Sequence, residues 1–362
     1  MMSFDVYDDS IIYIVSPPNA ATGGPEALHQ VAFFLRKHYK DRVFMHYLPS
    51  NTDKPIHPHY TKFNIPYSRK IEDNKKNIII VPEVINCLTI LENFKHIRKA
   101  IWWLSTDNFP LSIWMGYDKN PFFKRVLRRI GLILLSKQIF DFKEIFYRNN
   151  EDVTISFGRQ FKEYPWLSKV DVHLANADYT FQTLKNTVDL DSPPVQMLNE
   201  FIGEQFVNDD VKLEEKKNLV AYNPLKGIAF HKKLIKACPE VKFVPITGML
   251  PEQVQALLKS AKVYIDFGTH PGRERIPREA ASQFCCVIVG MRGSAGYEKD
   301  VAVPNEYKFR ASDSLENIKA VIQNCFDNYK EVIDDFSEYR EIIKNDKMLF
   351  EKRLSKLFSL RK

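Results

Sequence analysis

Residues 11–17, IIYIVSP, open on five consecutive apolar positions rich in β-branched side chains. A strand with water on one face alternates in polarity, whereas a strand covered on both faces does not. The run leads into PEALHQVAFFLRKHY at 25–39, where Leu28, Val31 and Leu35 recur at helical spacing and Pro25 suits a first helical turn. The pairing of buried strand with helix repeats along the chain, and this repetition limits the possible folds most. NIIIVPE at 77–83, KAIWWLS at 99–105 and KVDVHLANA at 169–177 read as further buried strands, the last followed by the helical DYTFQTLK. Strands and helices in this order imply a parallel sheet with crossover helices.

The rhythm loosens between Asp189 and Lys217, where DLDSPPV carries a double proline and NDDVKLEEKKN reads as a solvated charged linker. A domain boundary is expected near 205–216. Strand and helix then alternate again: NLVAYNP, IAFHKKLIKAC, VKFVPITG, PEQVQALLKSA, KVYIDFG, IPREAASQF and CVIVG, with a helical tail from about Ser314 to Lys362. The expected architecture is α/β, with two Rossmann-like doubly wound domains facing a cleft, at 1–210 and 211–340. A tail at 341–362 has a helix returning towards the N-terminal domain.

A chain of 362 residues fits two domains of ordinary size, and 44% hydrophobic with 27% charged residues is a globular composition. The net charge of +7 suits an anionic substrate, an anionic lipid surface or nucleic acid. No zinc-finger or RNP1-like reading motif is visible, so nucleic acid is not an expected partner. The five cysteines form no CxxC pair and read as buried reduced thiols, which fits a reducing cytoplasm. The N-terminus is acidic ahead of its apolar run, unlike a signal peptide, and no window offers about 18 uninterrupted apolar residues for a spanning helix.

The most concentrated chemistry lies in YIDFGTHPGRERIPREAASQFCCVIVG, 264–290. Here Arg273, Arg275 and Arg278 interleave with Glu274 and Glu279 between two buried strands, and Pro277 is placed to start a helix. Guanidiniums at a helix N-terminus suit an anion such as the phosphates of a nucleotide-sugar; the alternative is a cluster of salt bridges that shapes the loop. In VAYNPLKG, Lys226 sits in a tight turn after a strand, where open α/β sheets bind ligands. Gly23 and Gly24, between the first strand and its helix, can let backbone N–H groups approach an anion. Asp107, after KAIWWLS, can act as a general base or cap a turn. The stretch 120–142 mixes Lys124, Arg125, Arg128, Arg129 and Lys137 with apolar residues, as an amphipathic helix on an anionic membrane or against the protein core would.

On these motifs the chain resembles the GT-B-fold glycosyltransferases, nearest the family-4-type group. VDVHLANADYTFQTLK is similar to that group's strand and helix around an aNS-like turn, and VQMLNEFIGEQF to the segment closing its N-terminal domain. YNPLKG falls where the family carries a lysine for the donor diphosphate, which implies that role for Lys226. PREAASQFCCVIVG resembles the P-x-x-E-A helix and strand, with one residue instead of two between Pro277 and Glu279. The resemblance implies ribose contact for Glu279. Pro271 stands where the family often has a second glutamate, and no basic residue precedes Lys226 in VAYNP, so Arg273 or Arg275 would supply the missing contacts.

The resemblance implies an N-terminal acceptor domain and a C-terminal donor domain. It implies sugar transfer from a nucleotide-sugar to a glycan or lipid-linked acceptor in bacterial surface polysaccharide or lipopolysaccharide synthesis, on or near the inner face of the plasma membrane. The nucleotide-sugar is a substrate. No cofactor and no metal are expected, because Lys226, the arginines and a helix N-terminus can stabilise charge growing on the leaving phosphate. An inverting enzyme would take Asp107 or Glu26 as its base; a retaining one needs none. A nucleotide-sugar epimerase on the same fold and a non-catalytic nucleotide-sugar-binding partner of an assembly complex are the alternatives.

Overall fold

The computed structural model describes residues 2–116, 146–147, 152–188, 193–207 and 210–359. The cationic stretch 120–142 lies outside the described residues. The chain divides into two compact units. The first comprises Met1–Asn176, Thr180–Leu198 and Arg353–Lys362, the second Ala177–Tyr179 and Asn199–Lys352.

The first unit holds strands β1 (Ile12–Ser16), β2 (Val43–Tyr47), β3 (Ile78–Pro82), β4 (Arg98–Trp103), β5 (Val172–Ala175) and β6 (Val195–Met197). They form one parallel sheet in the order β2-β1-β3-β4-β5-β6, with Ile14 flanked by Met45 and Ile80. Every residue of β1 and of β3 is buried, as their unbroken apolar runs require. Helices α1 (Gly23–Tyr39), α2 (Asn108–Gly116), α3 (Val153–Glu163) and α4 (Asp178–Thr187) follow in chain order. Trp103 packs edge-on against Phe109 and Phe157 at 5.5 and 5.1 Å, joining β4 to α2 and α3.

The second unit holds β7 (Lys217–Tyr222), β8 (Lys242–Pro245), β9 (Ala261–Asp266), β10 (Cys286–Gly290) and β11 (Lys308–Phe309), parallel in the order β11-β10-β9-β7-β8. Its helices include α5 (Ile228–Ala237), α6 (Pro251–Ser260), α7 (Arg275–Ser282), α8 (Leu315–Asp327) and, up to Lys352, α9 (Ser337–Leu357). The five cysteines are free thiols and buried.

Three local details depart from the sequence reading. The units divide at Leu198 and Asn199, ahead of 205–216, because Ile202 and Phe206 lie in the second unit's core and Glu200 pairs there with Arg278. Helix α7 starts at Arg275, two residues before Pro277, with extended Glu274 at its N-cap. The tail is broken between α8 and α9, since Asn328 leaves helical geometry at φ −109° and ψ 29°.

Candidate functional site

In an open parallel sheet, ligands meet the carboxyl ends of strands where the strand order reverses, because neighbouring loops diverge there. In the second unit that point lies between β7 and β9, with Tyr222 registered beside Ile265. The loops that follow these two strands carry Lys226 and the arginine-rich stretch, so both sequence candidates emerge side by side.

The β7 loop is held by Asn223, whose Oδ1 accepts from the Leu225 N–H at 3.0 Å. Gly227 then adopts φ 61° and starts α5. A Cβ there would lie 2.7 Å from the carbonyl carbon and oxygen of Phe267, and one on Gly268 would lie 2.3 Å from Cβ of Lys226. Glycine at both positions lets the two loops pass in backbone contact.

Asp266 closes β9. Its Oδ1 accepts from the Gly268 N–H at 2.9 Å, and its Oδ2 from the Tyr264 hydroxyl at 3.1 Å. His270 Nε2 lies 3.5 Å from Oδ1. Burial alone would raise the carboxyl pKa; His270 and then Lys226 outweigh it and hold Asp266 below the usual carboxylate range. His231 on α5 accepts the Phe267 N–H at 3.2 Å, and burial lowers its pKa, favouring the neutral ring.

Beyond Asp266 the charged side chains separate into two sets. Lys226 Nζ meets Glu274 at 2.5 Å, with about a quarter and a fifth of the two side chains exposed. Arg275 Nε lies 3.5 Å from Glu279 across the first turn of α7. Lys226, Glu274 and Arg275 are partly exposed, Glu279 is buried, and all four lie at or beside the start of α7. Arg273 points the other way: it donates to both carboxylate oxygens of Asp346 on α9, at 2.9 and 3.0 Å, with 3% of its side chain exposed. Arg278 pairs with Glu200 and is equally buried. The expectation that Arg273 belongs to the donor ligands is therefore corrected. Its guanidinium is enclosed and bidentately bonded, the salt-bridge alternative for this loop.

The first unit reverses strand order between β1 and β3. Gly23 and Gly24 start α1 there, but a Cβ on Gly24 would make only an ordinary 3.6 Å contact with Leu104, so no close approach demands that glycine. Glu26 lies in the first turn of α1, 3.8 Å from His59. Asp107 immediately precedes α2 and is 1% exposed, enclosed within its own unit. Glu83, which the sequence reading missed, follows β3. It accepts from the Leu104 N–H at 3.1 Å and from Asn108 Nδ2 at 2.9 Å. Burial pushes its carboxyl up to about 7. Glu83 and Asp266 shared one legible signal, a single acid ending an apolar strand. A cavity of about 420 Å³ beside α1, lined by His29, Arg36, Tyr47 and Tyr60 among others, includes none of the residues expected from the sequence.

Among the described residues, no group of three or more His, Cys, Asp or Glu side chains is placed to hold a metal, and no helix is long and apolar enough to cross a membrane.

No family model and no curated protein sequence matches the chain. Solved structures do. Alr3699/HepE of Anabaena, in complex with UDP-glucose, is 11% identical, with 95% of this chain and 98% of that chain covered at a TM-score of 0.56. A glycosyltransferase of Rickettsia africae is 10% identical, with 97% and 100% covered at 0.52. The lipopolysaccharide outer core galactosyltransferase WaaB is 12% identical, with 94% and 99% covered at 0.51. Identity this low carries the fold and nothing finer. With two parallel-sheet α/β units matched over nearly full length, the chain has the GT-B fold of these glycosyltransferases.

Proposed function

We propose that this protein is a glycosyltransferase that moves a sugar from a nucleotide-sugar to a glycan or lipid-linked acceptor. The observation that carries the reading is the convergence of Lys226, Glu274, Arg275 and Glu279 on the carboxyl ends of β7 and β9, where the second unit's strand order reverses. The UDP-glucose complex of HepE supports a nucleotide-sugar as donor.

Cleaving the sugar–phosphate bond leaves negative charge on the diphosphate, and Lys226 is a cation in the loop directly after β7. Its ammonium meets Glu274, and in this reading a donor phosphate replaces or joins that carboxylate. Arg275 at the start of α7 adds a second cation beside a helix N-terminus. Glu279, on the same turn, is the proposed acceptor for a ribose or sugar hydroxyl. The reading assigns charge stabilisation to these cations and is of metal-independent transfer, which unchanged turnover in chelator would support.

The lipopolysaccharide enzyme WaaB supports a surface-glycan acceptor, and the cationic stretch 120–142 supports peripheral attachment to an anionic cytoplasmic membrane face. Sedimentation with anionic vesicles should weaken when Lys124, Arg125, Arg128 and Arg129 become glutamine, at about 1 kcal/mol per charge; equal sedimentation removes that part of the reading.

The donor site is tested by thermal shift and calorimetry with UDP, GDP and ADP sugars. Wild type should bind one of them, and Lys226→Ala should weaken that binding by roughly 1.5–3 kcal/mol, the value of a charge-assisted contact. Wild-type affinity in Lys226→Ala overturns the assignment. Isomerisation of the bound sugar in place of transfer would identify an epimerase.

A further inference from the structure

Arg273, Arg278, Glu200 and Asp346 are nearly enclosed in the second unit, with side chains 3%, 1%, 6% and 5% exposed. Two arginines and two acids buried together are poor value for stability alone, since apolar residues of similar volume serve a core as well or better. In some proteins such clusters select one conformation. The contacts identify which conformation is selected here.

Asp346 touches both arginines: Arg273 bidentately, and Arg278 Nη1 at 3.6 Å. Arg278 in turn donates to the main-chain carbonyls of Arg273 at 3.0 Å and Glu274 at 3.1 Å. The peptides on both sides of Glu274 Cα are thereby fixed from behind, while its side chain reaches forward to Lys226. Ser294 secures the other half of the loop, its Oγ donating to the Gly272 carbonyl at 2.6 Å and its N–H to the His270 carbonyl at 2.8 Å.

We propose that Asp346 on α9, supported by Glu200, is a positioning residue for the donor site: through Arg273 and Arg278 it fixes the main chain at 273–274 and so sets where Glu274 holds Lys226. The inference rests on the donor-site reading above and adds to it a residue that touches no substrate. A phosphate-binding lysine pre-set by a rigid loop costs less ordering on binding than a mobile one.

The test uses the full chain and two near-isosteric variants, Asp346→Asn and Glu200→Gln. Amide hydrogen exchange of the ligand-free protein should rise in 268–276 by about tenfold or more in Asp346→Asn, and stay unchanged in β10. Affinity for whichever of UDP, GDP and ADP the wild type binds best should fall about tenfold, while affinity for the matching nucleoside, which lacks phosphate, should hold. In Lys226→Ala, adding Asp346→Asn should cost nothing further, because both changes act through one lysine. Should Asp346→Asn not fold, Glu200→Gln is expected to give the same pattern through Arg278. Unchanged exchange at 268–276 in the folded variants overturns the inference, as does a loss of affinity that adds to that of Lys226→Ala. A wild type that binds no nucleoside diphosphate sinks the donor-site reading and with it the link to catalysis, while the exchange data still decide whether Asp346 orders the loop.

Discussion

At Arg273 the guanidinium meets both oxygens of a buried carboxylate, so Arg273→Ala leaves Asp346 in the core with its bidentate partner gone and Arg278 Nη1 at 3.6 Å. The expected loss is about 3–5 kcal/mol of stability, read as a lower denaturation midpoint. Arg275, two residues on, has a fifth of its side chain exposed, and its Nε lies 3.5 Å from Glu279. Arg275→Ala should change ligand-free stability by no more than about 0.5 kcal/mol while removing most of the thermal shift caused by the nucleotide-sugar. The reverse pattern would exchange the two assignments. Glu83 makes a separate prediction. Burial raises its carboxyl from near 4.5 to about 7, so between those values the folded state binds more protons than the unfolded one. Stability therefore falls as pH rises through this window, by up to a few kcal/mol. In Glu83→Gln that slope should flatten, measured as melting temperature from pH 4.5 to 8; an unaltered slope would place its cause elsewhere.

Among the elements, the β7 and β9 loops depend on each other. Gly227 sits at φ 61° with no room for a side chain against the Phe267 carbonyl, and Gly268 presses on Lys226. Gly227→Ala combines left-handed strain of about 1–2 kcal/mol with a backbone collision, so it should destabilise by more than the strain alone. It should also displace Lys226 and weaken nucleotide-sugar binding. Gly24→Ala is its control: the added methyl makes ordinary contact with Leu104, and stability should stay near wild type. Urea denaturation of both variants checks the contrast, and equal effects would show that the crossing of the two loops is not tight.

For the whole molecule, the chain's end belongs to the first unit. Leu354, Leu357 and Phe358 are buried there, the Tyr39 hydroxyl donates to the Phe358 carbonyl at 2.8 Å, and the Phe4 N–H donates to that of Leu357 at 2.6 Å. A chain ending at Lys352 loses three core side chains of about 1.5–3 kcal/mol each from the first unit. Limited proteolysis should then cut the first unit earlier than in the full chain, while fragments from the second keep their resistance. Equal protection of the first unit would mean that its core closes without the terminus.

The strand runs and helical spacings were enough to imply two parallel α/β units, because both signals are local: burial on both faces is written into five consecutive residues, and a helix into every third or fourth. Lys226 was legible for the same reason, as a cation in a turn directly after a buried strand. β2, β6 and β11 were not: His46 interrupts the apolar run of β2, VFMHY, and strands of three and two residues carry too little pattern. Nor did any local rule distinguish Arg273 from Arg275. Arg273 turns inward because α9 brings Asp346, 73 residues away in sequence, behind the loop, and Arg278 does so because Glu200 lies 78 residues before it. Periodicity assigns a residue to a face of its own element; the partner of a buried charge is set by which distant element packs against that face, and only the tertiary structure decides that.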